Sequence, residues 1–306
     1  MYSIFDAHCD TMNEILDKGE NIIKNNLHID FERMKQYDKY VQIFAAFVDK
    51  KSITVSPKER VGQIIEVYRR EIENSPICHC ESYEQLERES YCSLLGIEGG
   101  EAIEGSLETL EKFYCGGVRI MTLTWNYRNE IADGITESDG RGLTDFGKSV
   151  VKKMNKLGMV VDVSHLSEKG FWDVYKTAEK PFIASHSDAK ALCAHPRNLN
   201  DEQIKAVIEC GGVIGINFYP EFLDNSGKCT IERICDHIDY MIELGGENNI
   251  GFGSDFDGIE YLPDGVTGIE CMDKIIEMLK ARGYSDRTVK KIAFDNFLRV
   301  LRTNFE

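Results

Sequence analysis

The chain has 306 residues, 42% hydrophobic and 29% charged, which is enough apolar material for a large core and excludes disordered and collagen-like classes. Its 36 basic residues against 52 acidic ones leave a formal net charge of −16, which repels phosphate backbones and anionic headgroups and argues against nucleic-acid and membrane partners. The length alone fits either two domains or one α/β barrel of roughly 250 residues.

The N-terminal run MYSIFDAHCDTMNEI has neither a basic leader nor a long apolar core, and it enters a strand pattern at Ser3–His8. No stretch approaches the ~18 apolar residues that span a bilayer. Ten cysteines at positions with no paired CxxC grid read as free, buried thiols of a reduced, cytoplasmic protein. Cys78-His79-Cys80 has metal-type side chains but no second ligand pair nearby.

After the first strand, apolar and β-branched runs predict strands at Val41–Val48, Cys92–Glu98, Gly117–Thr124, Met159–His165, Pro181–His186, Gly212–Phe218 and Ile250–Asp255. Helical periodicity occupies the intervals, at Pro57–Glu73, Thr144–Leu157, Glu168–Thr177, Asn200–Glu209, Ile231–Leu244, Gly268–Arg282 and finally Asp286–Asn304. Thr144, Ser167 and Asn200 stand where N-caps belong. Strand–helix alternation predicts βαβ units and a parallel sheet, and eight repetitions fit an α/β fold of the (β/α)8 TIM-barrel type. No GxGxxG follows the first strand, GxxxxGK[ST] is absent, and no Pro-, Gly- or Ser-rich linker divides the chain, so residues 1–306 read as one domain.

The metal-type side chains fall at the C-terminal ends of these strands, the face on which barrel enzymes place their chemistry. His8 and Asp10 form an HxD pair after strand one, and strand alternation puts both on one face, with Cys9 turned away. Glu98, His165, His186 and Asp255 end four further strands. A single histidine at a strand end is usually a core or rim residue. Here three of seven histidines end separate strands on one predicted face, and three histidines, two aspartates and a glutamate suit two adjacent divalent ions with one bridging carboxylate. His28, His79, His195 and His237 lack that setting and read as surface or local structural residues, with His195 near the site.

The segments DAHCDT (6–11), GIEGGEAI (96–103), RIMTLTWN (119–126), VVDVSHLS (160–167), FIASHSDAKALCAHPRNLND (182–201) and IGFGSDFDG (250–258) resemble the membrane (renal) dipeptidase family of zinc peptidases, amidohydrolase-type barrels, over nearly the whole chain. The resemblance implies hydrolysis of the peptide bond of dipeptides, including those with a D-residue at the carboxyl end, by a hydroxide bridging two Zn²⁺ or other divalent ions. It implies that His8, Asp10 and Glu98 hold one metal, and Glu98, His165 and His186 the other. Glu98 and Asp255 are then the catalytic carboxylates, Asp255 as acid/base beside the substrate. Arg197 would bind the substrate carboxylate through its planar fork, although without the resemblance an arginine there more often reads as a salt-bridging rim residue. Relatives imply a homodimer.

One position departs from the pattern. Where well-known members carry a histidine that contacts the substrate or its developing oxyanion after the TLT segment, this chain has Trp125, which offers one N–H and a large apolar face but no cation, so either another group stabilises the oxyanion or Trp125 shapes a pocket for a different substrate side chain. Two other readings remain open at the level of sequence. One is a related amidohydrolase acting on a cyclic amide, lactone or phosphoester, which the HxD opening and the glutamate bridge disfavour. The other is a non-catalytic metal-binding barrel, which the full set of competent ligands disfavours.

Overall fold

Apolar runs buried on both faces produce parallel strands throughout the computed structural model, which describes residues 2–226 and 229–306. Among the described residues these strands are β1 (Ser3–Cys9), β2 (Lys39–Phe47), β3 (Cys78–His79), β4 (Tyr91–Glu98), β5 (Val118–Thr122), β6 (Val160–Asp162), β7 (Ile183–Ala184), β8 (Val213–Ile216) and β9 (Ile250–Phe252). The order runs β2-β1-β9-β8-β7-β6-β5-β4, and β2 pairs with β4 from Tyr40↔Tyr91 to Phe47↔Glu98, which closes eight strands into a TIM-type barrel. The two-residue β3 is an adjunct that pairs with Cys92 and Ser93 of β4 before β5 takes over that edge at Leu95. All eight predicted barrel strands are present.

The helices between them start where the sequence offers caps. Ser56, Thr144, Ser167, Asn200 and Ser285 each accept a backbone N–H in the first turn of their helix, and Asn200 completes a capping box with Gln203. Each such cap stabilises its helix by about 1 kcal/mol. Helices Pro57–Glu73, Asp145–Leu157, Glu168–Thr177, Asp201–Glu209, Ile231–Glu243 and Cys271–Ala281 fill the predicted intervals, and Thr11–Lys18 and Leu107–Cys115 add to them. The last helical stretch, from Asp286 to Phe305, is interrupted by a π-helical turn at Lys291–Asp295.

The lumen is filled by Phe5, Ala7, Val41, Ile43, Ile120, Val160, Ile183 and Val213, and Phe294 and Phe297 close its N-terminal end, with Phe5 stacked on Phe297 at 5.2 Å. With that end plugged by apolar side chains, polar chemistry is confined to the opposite mouth. A second core cluster lies between barrel and helices. No helix among the described residues is long and apolar enough to cross a membrane.

Candidate metal centre

Alternation along β1 would put His8 on the same side as Ile4, which packs outward against the helices. The strand corrects this with a bulge. Register passes from Asp6↔Gln42 to Cys9↔Phe44, three steps on β1 against two on β2, and a bulge of this kind re-aims the side chains that follow it. His8 thereby meets the lumen-facing Glu98, with Nε2 3.3 Å from Glu98 Oε2, 3.6 Å from Asp10 Oδ2 and 3.8 Å from Asp255 Oδ1. Asp10 itself lies one residue past β1 and precedes the helix Thr11–Lys18. Cys9 packs into the outer core, away from the cluster.

His165, His186 and Asp255 lie beyond the ends of β6, β7 and β9, in irregular backbone. His165 (φ 65°) and Asp255 (φ 61°) adopt the left-handed conformation, which costs a residue with a β-carbon roughly 1–2 kcal/mol and survives only where the surroundings fix it. The fixing groups are buried carboxylates used twice in the same way. Asp6 accepts from the Ser254 N–H at 2.8 Å and the Ser254 hydroxyl at 2.5 Å, immediately before Asp255. Asp162 accepts from the Ser185 N–H at 2.9 Å and the Ser185 hydroxyl at 2.5 Å, immediately before His186, and also from the Ser164 N–H at 3.0 Å, immediately before His165.

The candidate ligand atoms converge on Glu98. His165 Nε2 lies 2.9 Å and His186 Nε2 3.5 Å from Glu98 Oε1, and the two Nε2 atoms face each other at 2.8 Å. Their Nδ1 atoms point outward, to Asn126 Oδ1 at 2.8 Å and to the Ser185 hydroxyl at 2.7 Å. Burial, beside Arg197 and His8, pushes both imidazoles well below the usual histidine range, and donation of an Nδ1 proton to Asn126 Oδ1 and to the Ser185 hydroxyl would turn the Nε2 lone pairs inward. Burial also opposes charge on His8, but Glu98 and Asp10 outweigh it and raise that imidazole well above its ordinary value. Burial lifts Glu98 to about 7 against the pull of His8.

Three sets of donor atoms, each within 4.8 Å of one another, emerge: His8/Asp10/Glu98, Glu98/His165/His186 and His8/His186/Asp255. The first two share Glu98 through its separate oxygens. His8 Nε2 is buried without a hydrogen-bond partner. A β-carbon on Gly258 would collide with the Asp10 carboxylate and lie 2.7 Å from Asp255 Oδ1, so only glycine keeps that space open. An orphaned imidazole nitrogen, a second carboxylate oxygen on the shared glutamate and a cradle beside two aspartates that a β-carbon would fill together fit divalent cations.

The cluster floors a cavity of 940 Å³ whose wall includes Asn13, Phe47, Asp49, Ile53, Trp125, Tyr219, Phe222 and Ile259. Trp125 packs edge-on against Phe47 at 5.1 Å and Tyr127 at 5.4 Å, so its apolar face forms part of that wall. Arg197 does not line this cavity. It lines a separate 90 Å³ crevice that shares His165 with it. The guanidinium is buried, donates to the His186 carbonyl at 3.2 Å and leaves Nε without a partner. His195 packs against Phe222 in a tilted arrangement, with ring centroids 4.5 Å apart, beside this region.

Asn126, Asn217, Gly258 and the Asp–Ser pairs are functional neighbours that the sequence reading did not single out. The only signal for them was proximity to ligands: Asn126 follows Trp125, and Asp6 and Asp162 precede His8 and His165 in the motif segments. His237, read as surface or local, is completely buried and structural. Its Nδ1 accepts from the Ala189 N–H at 3.0 Å and its Nε2 bonds to the Leu223 carbonyl at 3.0 Å. His28 and Asp257 fasten two loops to each other, and His79 bonds to the Tyr68 hydroxyl.

The model of the family described as membrane dipeptidase, peptidase family M19, matches residues 1–305. A protein of Klebsiella pneumoniae, described as an uncharacterized protein in the pqqA 5′ region, is 40% identical over 216 residues, covering 67% of this chain and 79% of that one. An uncharacterized dipeptidase of Schizosaccharomyces pombe is 36% identical over 220 residues, covering 71% of this chain and 54% of that one. A crystal structure of a metallopeptidase from Rhodobacter sphaeroides, liganded with a phosphinate mimic of the dipeptide L-Ala-D-Ala, superposes with a TM-score of 0.90 at 25% identity over 99% of both chains. The chain belongs to the membrane dipeptidase family, peptidase family M19, and is a metallopeptidase-type hydrolase on a TIM barrel.

Proposed function

We propose that this protein is a dinuclear zinc dipeptidase that cleaves the single peptide bond of dipeptides, including those with a D-residue at the carboxyl end. The observation that carries the reading is the convergence on Glu98, whose Oε1 faces His165 and His186 while its Oε2 faces His8. His8 and Asp10 would hold one cation, His165 and His186 the other, and Glu98 both. Two divalent cations so held would lower the pKa of water and polarise a carbonyl.

The remaining steps belong to the chain's own side chains. Asp255, buried at the cavity floor, takes the proton of the attacking water and returns it to the leaving nitrogen, without which an amide does not expel its amine. Arg197, whose Nε has no hydrogen-bond partner, would bind the substrate carboxylate where the crevice it lines meets the cavity at His165. A carboxylate anchor at that boundary would limit substrate length and so favour dipeptides over longer chains. Trp125 and Phe47 supply an apolar wall for a substrate side chain. The Rhodobacter sphaeroides peptidase with its L-Ala-D-Ala mimic supports extending the substrate range to D-residues.

The test is a kinetic survey of L,L-, L,D- and Gly-containing dipeptides with metal analysis. Chelation should abolish hydrolysis and Zn²⁺ should restore it, and Glu98→Gln should leave a folded protein with less than about 1% of the activity. Full turnover by the metal-free protein would defeat the reading.

A further inference from the structure

We infer that Asn217 is a positioning residue for the reaction: it fixes which oxygen of Asp255 handles the proton. The inference rests on the reading of Asp255 as the acid/base.

Asn217 follows the last residue of β8 and is completely buried. Three of its polar groups have partners. Its backbone N–H donates to Asp188 Oδ1 at 3.2 Å, its side-chain Oδ1 accepts from the Tyr219 N–H at 2.6 Å, and its Nδ2 donates to Asp255 Oδ2 at 2.9 Å. The Tyr219 N–H can be met only by an oxygen, which settles the orientation of the amide and leaves an N–H, never an acceptor, facing Asp255. Asp255 Oδ2 therefore stays an acceptor throughout turnover, since a proton placed there would oppose the amide N–H. The free oxygen is Oδ1, 3.8 Å from His8 Nε2 and beside the space that Gly258 keeps open. Water loses its proton to Oδ1, the leaving nitrogen recovers it from Oδ1, and no rotation of the carboxylate intervenes.

Asp188 extends the effect. It lies two residues after His186, so the hydrogen bond from the Asn217 N–H ties Asp255 to the loop that carries a candidate metal ligand. Asn217 thus registers the proton acceptor against the ligand cluster, and displacement of a reacting group by about 1 Å can lower a rate by roughly 100-fold.

The experiment uses the metal-loaded protein and a dipeptide substrate, with kcat, KM and bound metal measured for Asn217→Ala, Asn217→Asp, Asp255→Asn and the double variant Asn217→Ala/Asp255→Asn. Asn217→Asp preserves volume and the oxygen for Tyr219 but sets a second carboxyl against Asp255 at the 2.9 Å contact, so it also displaces the pH profile of kcat, which Asn217→Ala does not. Both Asn217 variants should lose about 10- to 100-fold in kcat, with KM within about twofold and metal content unchanged, and Asn217→Ala should cost nothing further once Asp255 is Asn. Wild-type kcat in the Asn217 variants alongside an inactive Asp255→Asn would overturn the positioning role alone. So would metal loss, or an equal drop in the Asp255→Asn background, because either places the effect elsewhere. Full activity in Asp255→Asn would instead overturn the acid/base reading beneath it.

Discussion

His237 makes the stability of this protein depend on pH in a direction that its surroundings fix. Its Nδ1 accepts the Ala189 N–H, so a second ring proton would point at a donor inside a fully buried pocket. Burial accordingly depresses the imidazole to about 4. In the unfolded chain the same ring titrates near its ordinary value of 6.5. Because the unfolded state takes up the proton first, the contribution is fully present above pH 6.5 and is lost as pH falls toward 4, at up to about 1.4 kcal/mol per unit and about 3 kcal/mol in all. His237→Gln can keep the donor to the Leu223 carbonyl but strands the Ala189 N–H, which costs about 1–3 kcal/mol at neutral pH. Urea unfolding followed by circular dichroism should show wild type ahead by that amount at pH 7.5 and should show the gap shrink by about 2 kcal/mol at pH 5. A gap that stays constant across that range would refute the argument, since it would mean that the buried ring gains a proton as readily as the unfolded one. The effect bears on the site, because Ala189 anchors the stretch that connects His186 to Arg197.

Two further changes probe the candidate metal centre. Gly258→Ala should lower bound metal and reduce kcat/KM by more than about 100-fold while near-UV circular dichroism is unchanged, because the added methyl enters the space beside Asp10 and Asp255; full metal content with normal turnover would refute that cause. Asn126→Ala removes the partner of His165 Nδ1, which should weaken metal binding by about 10- to 100-fold in competition with a chelator. Unchanged affinity would mean that His165 is oriented by its backbone alone.

The barrel was legible because parallel strands covered on both faces read as apolar runs, and each of the eight predicted runs overlaps a barrel strand. Their ends were less so. The predicted runs to His165, His186 and Asp255 overshoot β6, β7 and β9 by two or three residues, because these residues leave the ladder to form the site. Two of them do so at positive φ, a conformation whose usual sequence marker is glycine, and histidine and aspartate do not announce it. The HxD pair was identified by strand alternation, yet the bulge between Asp6 and Cys9 is what turns His8 inward, and a bulge changes pairing register without changing composition. Asn126 and Asn217 were invisible for another reason. Asparagine is ordinary in loops, and only the partners at 2.8 and 2.9 Å distinguish these two from any other.

The paired Asp–Ser anchors carry an implication for where specificity can reside. Asp6 with Ser254, and Asp162 with Ser185, fix the backbone of Asp255 and His186 through groups that belong to the barrel itself. These buried hydrogen bonds hold the backbone of the cluster from within the barrel, while Asn126 and Asn217, beyond the ends of β5 and β8, orient the His165 ring and the Asp255 carboxyl. The cavity wall is built differently, from Asp49–Val55 after β2, Trp125 after β5, Tyr219 and Phe222 after β8, and Ile259–Glu260 after β9. Those segments can change without disturbing the anchors. A tryptophan can therefore stand at position 125 over an otherwise complete ligand set, and its consequence should appear in which dipeptides are preferred rather than in whether metal is bound.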